Sequence, residues 1–262
     1  AESDITAVTS DMNNMFTGVI YYKVADDEEV KCMQWNYGAD GEIVKGSASH
    51  NFVDGVCKKC GDKDAMGVTY KFYNGVYYVD SYSKYATNET LTVFGTWDDG
   101  VNGEANVTFI KNGAFSGHTE LKKVILHENI TALDGGVFAG CSNLEYVSMK
   151  GVEKLPLVWF SSLDHYGVYS ANDVTNNNFL NCGKLTTVVV GKNFECGAQM
   201  FKIWGDDSLT ACVNIYAEGS ESECNITLSD DQNQLLTNTI YYYSETESEN
   251  SWRYEDGVAT KW

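Results

Sequence analysis

Residues 137–144 read Val137-Phe138-Ala139-Gly140-Cys141-Ser142-Asn143-Leu144, and two further copies of this phrase lie within residues 113–190. The same spacing joins Ala114-Phe115, His118 and Leu121 in one copy and Asn178-Phe179, Cys182 and Leu185 in the other. Positions i, i+1, i+4 and i+7 share one face of a helical turn. Each copy is therefore expected to bury an aromatic ring, a small polarisable residue and a leucine on the same side.

After each leucine the apolar residues recur at every second position. The pairs are Val124 and Leu126, Val147 and Met149, and Val188 and Val190. Such alternation predicts a short strand after each turn. Phe115 and Phe138 are 23 residues apart. One turn and one strand cannot bury their own apolar face, so the copies are expected to stack into a solenoid.

The phrase resembles the Gly-x-Phe-x-Gly-Cys-x-x-Leu-x-x-Val pattern of the BspA-like leucine-rich repeats. Residues 137–147 match this pattern almost letter for letter, and residues 129–133 resemble the second short strand of such a repeat. The resemblance covers about residues 66–262. It implies a mainly β leucine-rich-repeat solenoid with short helical turns. It also implies a bacterial surface or secreted protein with a role in adhesion, since family members adhere to host matrix proteins.

Composition limits the classes of partner. The chain has 262 residues, 43% of them hydrophobic, which suits one or two domains. Eighteen basic and 37 acidic residues give a net charge of −19, which argues against nucleic acid and anionic membranes as partners. No apolar run approaches the roughly 18 to 20 residues that span a bilayer, so we expect no membrane insertion of the chain. A monomer is favoured.

The location of the protein is expected to be extracellular or at the cell surface, mainly because of the resemblance. The chain begins with Ala1 rather than Met and shows no hydrophobic signal core. This start is consistent with a removed leader or lipoprotein anchor, and equally with a cloning boundary.

Two hairpins are predicted to cap the solenoid. Asn74-Gly75 separates two alternating segments, 68–72 and 76–79, and Asp256-Gly257 plays the same part near the end of the chain. Residues 66–262 are therefore expected to form one repeat domain with a hairpin at each end. A fourth, less regular copy of the phrase lies around Phe201, and after it alternation places Val213 and Ile215 inward. It places Cys196 and Cys212 outward or at an edge of the sheet. A disulfide with Cys224 is an alternative for these cysteines.

Residues 1–65 do not follow the repeat and are predicted to form a small β module. Residues 19–24 are a candidate strand, and residues 30–37 are a candidate returning strand. The acidic run at residues 26–29 between them is most simply a solvated loop. If Asp54-Gly55 forms a two-residue turn, Phe52 pairs with Cys57.

The end of this module is the one candidate metal site. His50 projects from the same face as Cys57, and Cys60 follows at the Cys-x-x-Cys spacing. Zinc needs a fourth ligand, for which Cys32 is the best candidate from the sequence. A Cys57–Cys60 disulfide and a pair of inert thiols remain alternatives. In each case the cysteines are expected to be structural, and no other cofactor is predicted.

The third copy of the phrase is displaced by an insertion. Phe138 and Phe179 are 41 residues apart, and the extra residues span about 157–176. Insertions in solenoids often build binding sites, so we expect this segment to contact a ligand. Its candidate ligand-binding residues are Trp159, Phe160, His165, Tyr166 and Tyr169. Alternatively, Phe160 belongs to a degenerate repeat, or Trp159 and Phe160 fold back into the core.

No catalytic motif accompanies these features. The sequence has no nucleophile elbow, phosphate loop, dinucleotide fingerprint or zinc-protease motif. The leading hypothesis is a recognition or adhesion protein that binds a host or microbial protein or glycan through its solenoid. The alternative is an architectural spacer of a larger surface assembly that has no ligand of its own. An enzyme is the third possibility.

Overall fold

The computed structural model describes residues 22–23, 34–37, 39, 43–45, 52–53, 56–57, 65–155, 177–198, 200–202, 212–229 and 233–262. Contacts divide the chain into two compact units, Ala1–Ala65 and Met66–Trp262.

The first unit contains short strands. Their bounds are β1 (Tyr22–Lys23), β2 (Gln34–Tyr37), β3 (Ile43–Lys45), β4 (Phe52–Val53) and β5 (Val56–Cys57). Phe52 lies opposite Cys57, as predicted. The expectation of a returning strand at residues 30–37 is wrong in direction, because β1 and β2 are parallel. Parallel neighbours cannot be joined by a tight turn, and the ten residues between Lys23 and Gln34 allow a longer connection.

The second unit opens with the predicted hairpin of β6 (Val68–Tyr73) and β7 (Val76–Tyr82). Asn74 and Gly75 have φ values of 48° and 86°, the left-handed conformation that a two-residue hairpin turn requires. The sheet continues through β10 (Ala105–Ile110) to β12 (Ala132–Leu133), and β9 (Thr96–Trp97) lies beside β10. The hairpin forms one end of this sheet, with β6 at its edge.

The main sheet has eight strands among the described residues. In spatial order they are β8 (Thr90–Val93), β11 (Lys123–Leu126), β13 (Tyr146–Met149), β15 (Thr187–Val190), β17 (Val213–Ala217), β19 (Leu236–Tyr243), β20 (Ser251–Glu255) and β21 (Val258–Lys261). All neighbours are parallel except β20 and β21, which form the second predicted hairpin. Strands β13 and β15 pair directly, so the extra residues before Phe179 add no strand between them.

A third, smaller sheet contains β14 (Lys154–Leu155), β16 (Asn193–Cys196) and β18 (Asn225–Leu228), in that order. Its strands are parallel and in register, with Leu155 opposite Cys196 and Cys196 opposite Leu228. Together the sheets form the mainly β solenoid that the sequence predicts.

The repeat phrase forms tight turns, and the described part of the chain contains no helix. In the second copy the Cys141 N–H donates to the Phe138 carbonyl at 3.1 Å, an i→i+3 bond. Gly140 has a φ of 77°, so the right-handed turn stops before an α-helix can form. Phe138, Cys141 and Leu144 are nevertheless fully buried, as their spacing predicts.

Stacked aromatic rings form the centre of the core. Phe115, Phe138, Phe179 and Phe201 form a column with centroid separations of 5.4, 5.4 and 4.9 Å and nearly parallel planes. Val213 and Ile215 point inward and are fully buried, which confirms their prediction. The outward placement of Cys196 is wrong. Phe194 and Cys196 are the inward residues of β16 because the strand alternates strictly, and Cys196 is 1% exposed.

Candidate functional site

The predicted ligand-binding residues Trp159, Phe160, His165, Tyr166 and Tyr169 lie outside the described residues. The segment that carries them follows Leu155, the last residue of β14, and ends at Asn177. Its expected role in ligand contact therefore stays a prediction.

Three of the four predicted metal ligands, Cys32, His50 and Cys60, also lie outside the described residues. Cys57 lies on β5 and is 2% exposed. Within the described ranges, no group of three or more His, Cys, Asp and Glu side chains is placed to hold a metal ion. The structural zinc site stays a prediction.

The cysteines of the repeat phrase are buried thiols, as predicted. The Cys141 Sγ donates to the Phe115 carbonyl at 3.0 Å, and the Cys182 Sγ donates to the Phe138 carbonyl at 3.1 Å. Burial raises the pKa of Cys141 to about 12 and raises that of Cys182 well above its ordinary value. Because the thiolate is the reactive form, neither side chain is suited to nucleophilic chemistry at neutral pH.

The same position in the first copy holds His118, whose ring meets the edge of Tyr82 at a centroid distance of 4.7 Å. Burial lowers the pKa of His118, which favours a neutral imidazole. Farther along the chain, Cys196, Cys212 and Cys224 are thiols, and no disulfide joins them. The Cys212 Sγ donates to the Leu185 carbonyl at 3.3 Å.

A polar cleft of about 240 Å³ lies on the outer face of the small β14–β16–β18 sheet. We call this site the polar cleft; its lining residues are Glu153, Lys154, Asn193, Phe194, Glu195, Asn225 and Thr227. The cleft borders β14, the strand from which the predicted insertion leaves. It was not predicted from the sequence.

Strand alternation creates this cleft. The inward residues of the small sheet pack on the core, so the residues between them must face outward. Lys154 pairs with Glu195 across the sheet, and Glu195 pairs with Thr227, which forms one outward row. Asn193 and Asn225 form a second row beside it.

One ion pair organises the floor of the cleft. The Lys154 Nζ lies 2.7 Å from the Glu195 Oε1 and 2.8 Å from its Oε2. Both side chains are about half exposed, so the pair contributes at most about 1 kcal/mol to stability. Its main consequence is positional, because it holds an ammonium group and a carboxylate side by side at an open surface.

The chemistry of the cleft suits binding. Two amides, two carboxylates, an ammonium group and a hydroxyl offer hydrogen-bond donors and acceptors in a small area. Ligand pockets for drug-sized molecules usually measure about 300–1,000 Å³. A volume of about 240 Å³ suits a smaller group, such as a sugar ring or a short peptide segment.

The stacked phrase and the parallel sheets define a solenoid of leucine-rich repeats. Residues 100–203 match the family model of the BspA type leucine rich repeat region, with six copies. Residues 100–203 are therefore similar to BspA-type leucine-rich repeats, which confirms the resemblance seen in the sequence. No curated protein matches the chain.

Similar solved structures are also leucine-rich repeat proteins. The chain is 14% identical to a leucine rich repeat protein of T. pallidum, with a TM-score of 0.45 and coverage of 67% of this chain and 69% of that one. A leucine-rich repeat protein of Bacteroides ovatus ATCC 8483 gives 14% identity, a TM-score of 0.32 and coverage of 68% and 70%. A leucine rich cell surface protein of Faecalibacterium prausnitzii A2-165 gives 14% identity, a TM-score of 0.37 and coverage of 74% and 56%.

None of the residues that the structure describes belongs to a helix long and apolar enough to cross a membrane.

Proposed function

We propose that the protein is a non-catalytic recognition protein of the bacterial cell surface. It binds an extracellular glycan or protein through the outer surface of its solenoid, and the polar cleft contacts that ligand. The match of residues 100–203 to BspA-type repeats supports the proposed location.

The polar cleft is the observation that supports this proposal most strongly. Its side chains stand on a sheet whose inward residues are packed in the core, so their spacing is fixed before a ligand arrives. Among the described residues, no hydrogen bond engages the side-chain amides of Asn193 and Asn225. Sugar hydroxyl groups both donate and accept hydrogen bonds, and these amides match both functions. A glycan is therefore the favoured ligand class.

The insertion at residues 157–176 is a second proposed contact. It begins three residues after Lys154, a lining residue of the cleft, so a ligand in the cleft is expected to lie near the start of the insertion. Aromatic side chains commonly supply the apolar contact area that a polar cleft lacks. Trp159, Tyr166 and Tyr169 are the proposed aromatic contacts.

The polar cleft can be tested with a screen of purified protein against a glycan array and a panel of host matrix proteins. The cleft variant carries Asn193→Ala, Glu195→Gln and Asn225→Ala. Glu128→Gln, at an exposed site outside the cleft, matches its change in charge. We expect the cleft variant to lose at least tenfold in apparent affinity, while Glu128→Gln binds like the wild type. A wild type that binds nothing in the screen would contradict the proposal and favour an architectural spacer.

The insertion needs a separate test. The triple variant Trp159→Ala, Tyr166→Ala and Tyr169→Ala is expected to bind more weakly and to melt within a few degrees of the wild type, because surface changes usually cost under about 0.5 kcal/mol each. A large drop in melting temperature with unchanged binding would assign these side chains to the core instead.

A further inference from the structure

The C-terminal hairpin, β20 and β21, continues the main sheet beyond β19, and two of its side chains pack against the outer face of that sheet. Trp252 of this hairpin is fully buried and Ala259 is 7% exposed. Both pack with Tyr146 of β13, Val189 of β15 and Tyr216 of β17 in a cluster separate from the main core. We call the part of the sheet under the hairpin the outer aromatic face; it comprises Tyr146, Val189, Tyr216, Tyr241 and Tyr243.

Specific polar contacts hold the hairpin in place. The Trp252 indole N–H donates to the Ala217 carbonyl at 2.9 Å. The Tyr254 hydroxyl donates to the Glu218 carboxylate. The same carboxylate forms an ion pair with Lys150, whose Nζ lies 2.5 Å from the Glu218 Oε1. The Lys150 Nζ lies 4.9 Å from the Tyr254 ring centroid. A Trp-x-Tyr segment thus matches this face through both apolar and polar contacts.

The backbone connection between the hairpin and the sheet is slight by comparison. Two residue pairs join β19 to β20, Tyr242 with Ser251 and Tyr243 with Trp252. The connecting residues 245–250 are all exposed and polar. Side chains therefore supply most of the attachment, and they contact the sheet in the same way whichever chain supplies them.

We propose that the outer aromatic face is a binding site for the C-terminal hairpin of a second copy of this chain. When the chain is alone, its own hairpin occupies the site. Departure of that hairpin uncovers β19 as an edge strand, which can pair with an arriving strand. Exchange of identical elements is an accessible route to dimers, because each contact is replaced by its equivalent.

The chain's own hairpin is a strong competitor. A short flexible linker gives a tethered group an effective concentration in the millimolar range. The wild type is therefore expected to self-associate near that concentration and to be monomeric at micromolar concentration. The net charge of −19 makes two copies repel, so added salt is expected to strengthen the association.

A fluorescent peptide with the sequence of residues 244–262 tests this site by anisotropy titration against the full chain. Trp252→Ala in the full chain loosens its own hairpin, so the peptide is expected to bind this variant at least tenfold more tightly than the wild type. Adding Tyr216→Ala to that variant removes part of the site and should reverse the gain. A peptide carrying Trp252→Ala is the control and should not bind.

Equal peptide affinity for the wild type and the Trp252→Ala chain would overturn the proposal. So would a gain in affinity that survives Tyr216→Ala. If the Trp252→Ala chain fails to fold, native mass spectrometry of mixed light and heavy-isotope wild-type chains at about millimolar concentration gives the answer. Mixed dimers that increase with salt support the site, and their absence rejects it.

Discussion

The two faces of the main sheet differ in how they use the repeat. On the inner face each strand from β8 to β17 supplies an aliphatic pair, for example Val147 and Met149, and these pairs are buried. On the outer face, the residues that pair with one another across successive strands differ in side-chain type from one end of the sheet to the other. In order they are Thr92, Ile125, Ser148, Val189, Tyr216 and Tyr241. The inner face repeats because the inward side chains of each strand must pack against those of the next strand. The outer face is free of that constraint, so it can carry a covering hairpin at one end.

The largest expected effect is on the inner side. Phe138→Ala removes the middle of the aromatic column, where the ring stacks on Phe115 and Phe179 at 5.4 Å each. We expect a loss of about 3–5 kcal/mol in the free energy of unfolding. Denaturant melts measure this loss, with the exposed Ser142→Ala as the control. A cost below about 1 kcal/mol would mean that the column does not support the fold.

Close packing between rungs predicts the next effect. A Cβ added at Gly151 would lie 2.0 Å from the Glu128 carbonyl oxygen, and the backbone there cannot easily yield. Gly151→Ala is therefore expected to cost about 1–3 kcal/mol by overpacking. Gly219→Ala is the matched control, because its closest neighbours are the Cys224 and Lys192 side chains at 3.1 Å, which can shift. Equal costs at the two positions would refute the argument from backbone contact.

A smaller global effect is expected on the outer side. Trp252→Ala should detach the hairpin locally, because its cluster is separate from the main core. Hydrogen exchange should show loss of protection across residues 251–261, with the protection of β13 and β15 unchanged. If the exchange of β13 and β15 rises equally, the hairpin is part of the main cooperative unit.

The effect that is smallest at neutral pH concerns the thiols. Burial holds the pKa of Cys141 at about 12, above its ordinary value of 9.0. The contribution of the buried, protonated Cys141 thiol to stability is therefore fully present below about pH 9. It is lost as the pH rises toward 12, because the thiol of the unfolded chain ionises first. The denaturant concentration at the unfolding midpoint should decrease as the pH rises from 8 to 10.5. The decrease should be smaller in Cys141→Ala.

Alkylation gives an independent measure of the same thiols. At pH 8 iodoacetamide should spare Cys141 and Cys182 in the folded protein and modify the partly exposed Cys212 and Cys224 first. Peptide mapping by mass spectrometry distinguishes the four positions. Rapid modification of Cys141 would show that the interior opens readily.

The stacked core was predictable from the sequence because its spacing repeats. Phe138, Cys141 and Leu144 recur at fixed intervals, and Asn74-Gly75 and Asp256-Gly257 mark their hairpins. The turn type was less predictable. A left-handed Gly140 ends the turn before a helix forms, which spacing alone does not reveal.

The polar cleft was missed for a physical reason. Strand β14 has two residues, too few to show a period, and it pairs with β16 across 41 residues of sequence between Lys154 and Glu195. The alternation Asn193-Phe194-Glu195-Cys196 was the available signal. The contact between Ala259 and Tyr146 was also unpredictable, because it joins distant segments through tertiary structure rather than through a local pattern.

We propose that the polar cleft binds the ligand, while the inner face of the main sheet maintains the fold. The most direct measurement combines thermal melting with titration of the best array glycan or matrix protein against the cleft variant, Asn193→Ala with Glu195→Gln and Asn225→Ala. We expect at least a tenfold loss of affinity with a melting temperature within a few degrees of the wild type. Unchanged affinity in a folded cleft variant would contradict it.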